Sequence, residues 1–221
     1  TKYIGGHGTT IGGIIVDSGK FDWVANKNRF PMLNEPDPSY HDVVYTEALG
    51  AAAYIGRCRV VPLRNTGAAL SPHSSFLIMQ GLETLCLRME RHCENALKVA
   101  KYLSNHEKVN WVNYAALPES PYNALCQTVT NGQASGILSF GIKGGSEAGG
   151  RFIDALGMIL RLVNIGDAKS LACHPASTTH RQLNAKELKS AGVSEDLVRI
   201  SVGIEHIDDI IADIEQALAK A

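Results

Sequence analysis

The feature that most constrains the fold is a long amphipathic repeat near the middle of the 221-residue chain. Its apolar residues recur every three or four positions, which is the spacing of one face of an α-helix. They are Leu82, Leu85, Met89, Cys93, Ala96, Ala100 and Leu103. The positions between them, which we expect to be exposed, are held by Arg88, Glu90, Arg91 and Glu94. A helix this long often connects two domains, so we place a domain boundary near its start.

Three patterns precede the predicted helix. Residues 11–16 are a short apolar run rich in β-branched side chains, which predicts a strand in a covered sheet. Residues 21–40 contain three prolines and no sustained period, so they predict a long loop. Residues 43–64 return to a helical spacing, and Pro62 is expected to kink that helix.

Strands and helices alternate beyond the repeat. Residues 124–129, 136–142 and 197–202 are predicted strands, whereas residues 152–163 and 207–218 have the apolar spacing of helices. This alternation predicts an α/β or α+β fold.

Composition excludes several classes of function. An apolar fraction of 45% and a charged fraction of 19% are typical of a globular protein, and the net charge of -1 gives no basic surface for nucleic acid. No apolar run approaches the roughly 20 residues that a membrane-spanning helix needs. The five cysteines are an odd number without a C-x-x-C pair. We therefore expect reduced, mostly buried thiols, a cytoplasmic location, and neither nucleic acid nor a membrane as partner.

Lys2 is the first candidate for chemistry. It follows the hydroxyl residue Thr1 and precedes a glycine-rich stretch at residues 5–8, where backbone can approach a ligand closely. A lysine in this setting can hold an aldehyde cofactor as a Schiff base, but neither common glycine-rich phosphate signature is present. By spacing alone the signal is weak, and a solvated surface charge is the alternative.

Arg199 is the second candidate. Alternation along the predicted strand places it on the face opposite Val198, Ile200 and Val202. Its planar guanidinium suits bidentate recognition of a carboxylate, which is either that of a substrate or that of a structural ion-pair partner.

Residues 164–180 form a third polar region, rich in hydroxyl groups and glycine, as binding loops often are. Cys173, His174 and His180 lie here, but no carboxylate or further cysteine completes a set of metal ligands. We expect no metal site.

These regions together resemble the Cys/Met-metabolism family of pyridoxal-phosphate enzymes. The segment 1–7 is similar to the cofactor-lysine segment of that family, and further similar segments follow in the family's order at residues 70–72, 81–89, 166–171, 175–180 and 198–205. The resemblance implies the fold-type I architecture. Residues 1–78 would be the C-terminal remainder of the cofactor-binding large domain, and residues 79–221 a small α+β domain.

The resemblance also implies roles for single residues. Lys2 would carry pyridoxal 5'-phosphate and later transfer protons, and Thr1 would contact the cofactor phosphate. Arg199 would bind the α-carboxylate of an amino-acid substrate, assisted by Ser170 and its neighbours. The groups that stack on the cofactor ring and bind its nitrogen precede the lysine in the family, so they are expected in an upstream half of the same enzyme. We expect this chain alone neither to bind the cofactor tightly nor to turn over substrate.

Residues 8–13 and the loop at 21–41 are similar to the O-acetylhomoserine sulfhydrylase branch of the family. This implies a transferase of methionine biosynthesis that acts by γ-replacement. O-acetyl-L-homoserine and sulfide, or a thiol, would give homocysteine or methionine and acetate, in a homotetramer built as a dimer of dimers. The alternatives are a γ-lyase or cystathionine γ-synthase of the same family and, from another class, a non-catalytic interaction fragment.

Overall fold

The computed structural model describes residues 1–221 apart from the side chain of Ala185. It divides into two compact units. One unit combines Thr1–Ile11 with Phe76–Ala221, and the other is Gly12–Ser75. The predicted lysine segment thus packs with the C-terminal unit. The assignment of residues 1–78 and 79–221 to two domains of a larger enzyme stays a prediction.

The unit Gly12–Ser75 consists of loops and short helical segments. Its elements are α1 (Pro31–Asn34), α2 (Tyr45–Leu49), a 3₁₀ turn (Gly50–Ala52), α3 (Ala53–Cys58), a π-helical turn (Arg59–Leu63) and α4 (Arg64–Thr66). Its core is small and is formed by Leu33, Tyr45 and Ala53. Pro62 lies inside the π-helical turn, where the regular α-helical hydrogen-bond pattern is interrupted, because proline has no N–H to donate to the preceding turn.

The strand predicted at residues 11–16 is wrong. These residues have no regular secondary structure, and the side chain of Ile11 is 86% exposed. An apolar β-branched run becomes a strand only when another strand accepts and donates its backbone hydrogen bonds. No strand of the described sheet pairs with this segment.

The larger unit contains the sheet and the long helices. The helices are α5 (Pro72–Glu83), of which the residues from Phe76 onward belong to this unit, α6 (Leu85–Ser104), α7 (Asn123–Thr130), α8 (Gly145–Ala155), α9 (Ala185–Ser190) and α10 (Ile207–Lys220). The strands are β1 (Val109–Asn113), β2 (Ile137–Ile142), β3 (Leu160–Arg161), β4 (Leu171–Cys173) and β5 (Leu197–Ser201). The predicted mixture of strands and helices is confirmed, as are the strands now labelled β2 and β5 and the helices now labelled α6 and α10.

The five strands form one mixed sheet in the order β1-β2-β5-β4-β3. All neighbouring pairs are antiparallel except β3 and β4. Strand β5 lies in the centre, and its Arg199 is opposite Ser139 of β2 and Cys173 of β4. One face of the sheet carries the main core, with residues from β2, β5, α6, α8 and α10, among them Phe140, Phe152, Ile200, Leu103 and Ile214.

Two further predictions from periodicity are wrong. Residues 124–129 belong to helix α7, which ends at Asn131 in the left-handed conformation with φ of 52°. A short apolar run fits a strand or one side of a helix equally well, so its composition did not distinguish them. The helix predicted at 152–163 ends at Ala155, because Leu156 is extended and the chain then enters β3.

Asp213 of α10 terminates helix α8 from outside. Its carboxylate accepts hydrogen bonds from the backbone N–H groups of Gly157, Met158 and Ile159 at 2.8, 2.9 and 2.8 Å. Burial raises the pKa of this carboxyl, but the three N–H donors and Gln216 outweigh burial and hold the pKa below its ordinary value.

Asp213→Asn is expected to lower the free energy of unfolding by about 1–3 kcal/mol, because a carboxamide offers one acceptor oxygen instead of two. The folded state lowers the pKa of Asp213, so its carboxylate contributes fully to the free energy of unfolding above the unfolded pKa of 3.8. This contribution is lost as the pH falls through the lower pKa of the folded state. Urea unfolding at neutral and acidic pH measures both effects. Asp209→Asn on the exposed side of the same helix is the control, and equal losses in the two variants would contradict the assignment.

Candidate active site

The segment that contains Lys2 forms a closed turn. The N–H of Gly6 donates to the carbonyl oxygen of Lys2 at 2.8 Å, and Gly6 has φ of 74°, a conformation that favours glycine. The backbone of Lys2 is therefore fixed, whereas its side chain is exposed. Thr1 is half-buried beside it.

Helix α6 holds this turn from one side through Arg88. The sequence predicted Arg88 to be exposed, and that prediction is wrong because its side chain is only 5% exposed. Its guanidinium donates to the carbonyl oxygens of Tyr3 at 2.7 Å and Ile4 at 3.3 Å, and to that of Gly81. The signal in the sequence was its spacing. Arg88 lies three residues after Leu85 on the buried side of α6.

A loop from the other side of the unit contacts the same turn. The N–H of Ala168 donates to the carbonyl oxygen of Gly6 at 2.8 Å. Gly166 packs directly on Tyr3, and a Cβ added to Gly166 would lie 2.8 Å from the Tyr3 nitrogen. Only glycine permits this close approach. The predicted lysine segment and the predicted binding loop are therefore neighbours in the fold.

Strand β5 and the residues after it hold that loop at three points. Arg199 donates to the carbonyl oxygen of Val163, Ser201 Oγ accepts from the N–H of Gly166 at 2.9 Å, and the N–H of Gly203 donates to Ser170 Oγ at 2.8 Å. These anchors are spaced two residues apart along β5 and its continuation, as expected for one face of an extended segment.

Ser170 is completely buried and is also bound to Glu205. Its N–H and its hydroxyl donate to the two carboxylate oxygens of Glu205 at 2.6 and 2.9 Å. No pattern in the sequence identifies Glu205 as a partner of this loop. In the described structure the Ser170 hydroxyl therefore stabilises the loop through Glu205 and Gly203.

Two more buried polar residues on α6 were missed. His92 lies with Nδ1 2.7 Å from the carbonyl oxygen of Val202, to which it donates, and its ring meets Tyr3 edge-on with centroids 5.2 Å apart. Burial lowers the pKa of His92, which favours the neutral ring. Asn95 donates to the carbonyl oxygens of Gly203 at 3.1 Å and Glu205 at 3.0 Å. Helical spacing from Arg88 identifies both.

Arg199 remains able to bind an anion. It is half-buried and borders a cavity that Asn113, Tyr114 and Ser139 also line. A guanidinium has five N–H donors, and the hydrogen bond to Val163 uses one of them. Arg199 thus combines a structural contact with donors beside a cavity.

Other kinds of site have no support in the described part of the chain. Its His, Cys, Asp and Glu side chains form no group of three or more that suits a metal ion. None of the described helices combines the length and apolarity needed to cross a membrane.

Comparison with known proteins identifies the family. The model of the Cys/Met metabolism PLP-dependent enzyme family matches residues 1–219. The chain belongs to this family.

Its relatives include named enzymes. The chain is 54% identical over 221 residues to homocysteine synthase of Schizosaccharomyces pombe and covers 52% of it. It is 48% identical over 219 residues to O-acetyl-L-homoserine sulfhydrylase 1 of Thermus thermophilus, again covering 52%. The chain thus spans about half the length of these relatives.

A solved structure is also similar to this chain. A Campylobacter jejuni protein described as an O-acetylhomoserine (thiol)-lyase superposes with a TM-score of 0.87 at 41% identity, over 99% of this chain and 52% of that one. That crystal structure contains a pyridoxyl-lysine monophosphate.

Ser170→Ala is expected to lower the free energy of unfolding by about 1–3 kcal/mol, because it leaves the N–H of Gly203 without its buried acceptor. Urea unfolding measures the change. Ser146→Ala, at an exposed position in α8, is the matched control. Unchanged stability in Ser170→Ala would show that Ser170 does not anchor the loop.

Proposed function

We propose that the protein containing this chain catalyses γ-replacement on O-acetyl-L-homoserine, with sulfide or a thiol giving homocysteine or methionine and acetate. The observation that carries the proposal is the convergence of the Lys2 turn, the loop at Ala168 and the anchors on β5 in one unit. The names of the relatives, homocysteine synthase and O-acetyl-L-homoserine sulfhydrylase, support the choice of substrate.

The residues present fit pyridoxal 5'-phosphate as the cofactor. Lys2 offers a primary amine on an exposed side chain whose backbone is fixed. A Cβ added to Gly5, in the same turn, would meet no atom within 4 Å, so the chain leaves open space there. Lys2 would hold the cofactor aldehyde and Thr1 would contact the phosphate. When bound, pyridoxal phosphate supplies the electron sink for negative charge at the substrate carbon.

The chain's own side chains would then position substrate and move protons. The Arg199 guanidinium binds the α-carboxylate in the cavity that it borders, with Ser170 acting through the loop it stabilises. In this proposal the Cα–H of the bound substrate lies within reach of the Lys2 amine. The substrate amine would first displace Lys2 from the cofactor aldehyde. The freed Lys2 Nζ would then accept that Cα proton and return one after acetate had left Cγ and sulfur had bound there.

The wider organisation is part of the same proposal. Residues 1–78 complete the large domain of a fold-type I enzyme and residues 79–221 form its small domain. The remaining cofactor contacts come from an upstream half of the same enzyme. The chain covers 52% of the length of each of these two relatives, which supports further residues in the whole enzyme. The five free thiols are in keeping with a cytoplasmic enzyme, and the family resemblance suggests a homotetramer, which light scattering can test.

Lys2→Ala in the protein produced at its full natural length is expected to abolish the cofactor absorbance band and product formation, because no amine remains to hold the aldehyde. Borohydride reduction of the unaltered protein followed by peptide mass analysis should place a pyridoxyl group on Lys2. The control variant Lys20→Ala should keep both the cofactor absorbance band and product formation. A pyridoxyl group on another lysine would contradict the proposal.

Substrate choice is tested in the same preparation. Acetyl-, succinyl- and phosphohomoserine are supplied with sulfide, and methionine without it. We expect homocysteine from the acetyl ester and little ammonia from any of them. Ammonia release from methionine would indicate a γ-lyase, and preference for the succinyl ester a cystathionine γ-synthase. Absence of both cofactor and turnover would favour a non-catalytic interaction protein.

A further inference from the structure

We propose that Arg88 is a positioning residue that sets the conformation of the turn from Lys2 to Gly6 and thereby the placement of the Lys2 amine. The inference rests on the proposed function of Lys2. Arg88 itself contacts only backbone carbonyls and a hydroxyl among the described residues, so its effect on the reaction passes through the turn.

The hydrogen bonds of Arg88 are unusual for a buried cation. Its Nε donates to Thr84 Oγ1 at 3.1 Å, and its other donors bind the carbonyl oxygens of Tyr3, Ile4 and Gly81. None of the ion pairs found in the described chain includes Arg88. A buried charge without a counter-ion is costly, and desolvation accordingly lowers the pKa of Arg88.

What this cation organises is the backbone directly after Lys2. Two of the three carbonyls it binds belong to Tyr3 and Ile4, which lie inside the turn closed by the hydrogen bond from Gly6 to Lys2. A planar fork can hold two successive carbonyls and a third from α5, which a single ammonium group cannot do with the same geometry.

Close packing at two glycines supports a direct contact of Arg88 and α5 with the turn. A Cβ added to Gly6 would lie 2.5 Å from Arg88 Nη1, so the turn and the guanidinium are in direct contact. A Cβ at Gly81 would collide with the carbonyl oxygens of Gly5 and Ile4, so α5 approaches the turn without an intervening side chain. The guanidinium therefore lies between the turn and the junction of α5 and α6.

The test compares Arg88→Lys with Arg91→Lys in the protein produced at its full natural length. Arg91 lies three residues further along α6, is half-exposed and pairs only loosely with Glu94 at 3.9 Å. Hydrogen exchange of the Gly6 amide reports the turn directly. We expect about tenfold or faster exchange in Arg88→Lys and no change in Arg91→Lys.

Kinetics supply the second readout. We expect Arg88→Lys to keep its unfolding temperature and cofactor band but to lose about tenfold to hundredfold in kcat with little change in KM, because the amine is misplaced. A purely structural role would lower stability while each folded molecule kept its kcat. Folded Arg88→Lys with unchanged Gly6 exchange and unchanged kcat overturns the proposal.

Thr84→Val covers the case in which Arg88→Lys does not fold. It removes the acceptor of Arg88 Nε at an exposed position, so folding should be retained. A smaller loss of kcat with faster Gly6 exchange supports the proposal, and no change in either overturns it. If the unaltered protein carries no pyridoxyl group on Lys2, the proposed function fails, whereas the exchange result still decides whether Arg88 holds the turn.

Discussion

Strand β5 holds the candidate active site together because successive anchors lie on one face of an extended chain. Arg199, Ser201 and Gly203 each bind a different point of the loop that begins at Val163. That loop in turn binds the carbonyl oxygen of Gly6 through the N–H of Ala168. The opposite face of β5 lies in the hydrophobic core. The packed sheet therefore keeps the three anchoring residues in fixed positions.

Helix α6 supplies the matching support from the other direction. Its buried polar residues Arg88, His92 and Asn95 are spaced so that they share one side of the helix. Each binds a backbone oxygen atom of another segment. Buried polar groups need such partners, so this side of α6 fixes where the Lys2 turn and the continuation of β5 must lie. A glycine-rich segment with little conformational preference of its own thereby becomes ordered, while the Lys2 side chain stays exposed.

The sequence predicted the elements whose periodicity is long and regular. Helix α6 and helix α10 were identified because their apolar spacing extends over their length. The strand expected at 11–16 and the strand expected at 124–129 failed because short apolar runs acquire their structure from what they pack against. Arg88 was misjudged for a related reason. A charged side chain is expected to be exposed unless buried groups bind it. The carbonyls of Tyr3 and Ile4 that bind Arg88 are more than 80 residues away in the sequence, so the pattern around Arg88 does not reveal them.

Lys2 and Arg199 were candidates because of their residue type and sequence setting. The family resemblance added Ser170 and the roles of all three, and the structure adds the contacts that connect their segments. The partnership of Ser170 with Glu205 was outside the reach of sequence patterns, because it depends on the chain folding back after β5. The resemblance thus supplied the roles of these residues, and the contacts explain why their segments are neighbours.

The most direct test of the account is a crystal structure of the protein at its full natural length after borohydride reduction in the presence of pyridoxal phosphate. We expect a pyridoxyl group on Lys2 Nζ and the Arg199 guanidinium facing the cavity that Asn113 and Ser139 line. Arg88 should still bind the carbonyls of Tyr3 and Ile4. A pyridoxyl group elsewhere, or Arg199 turned away from that cavity, would contradict it.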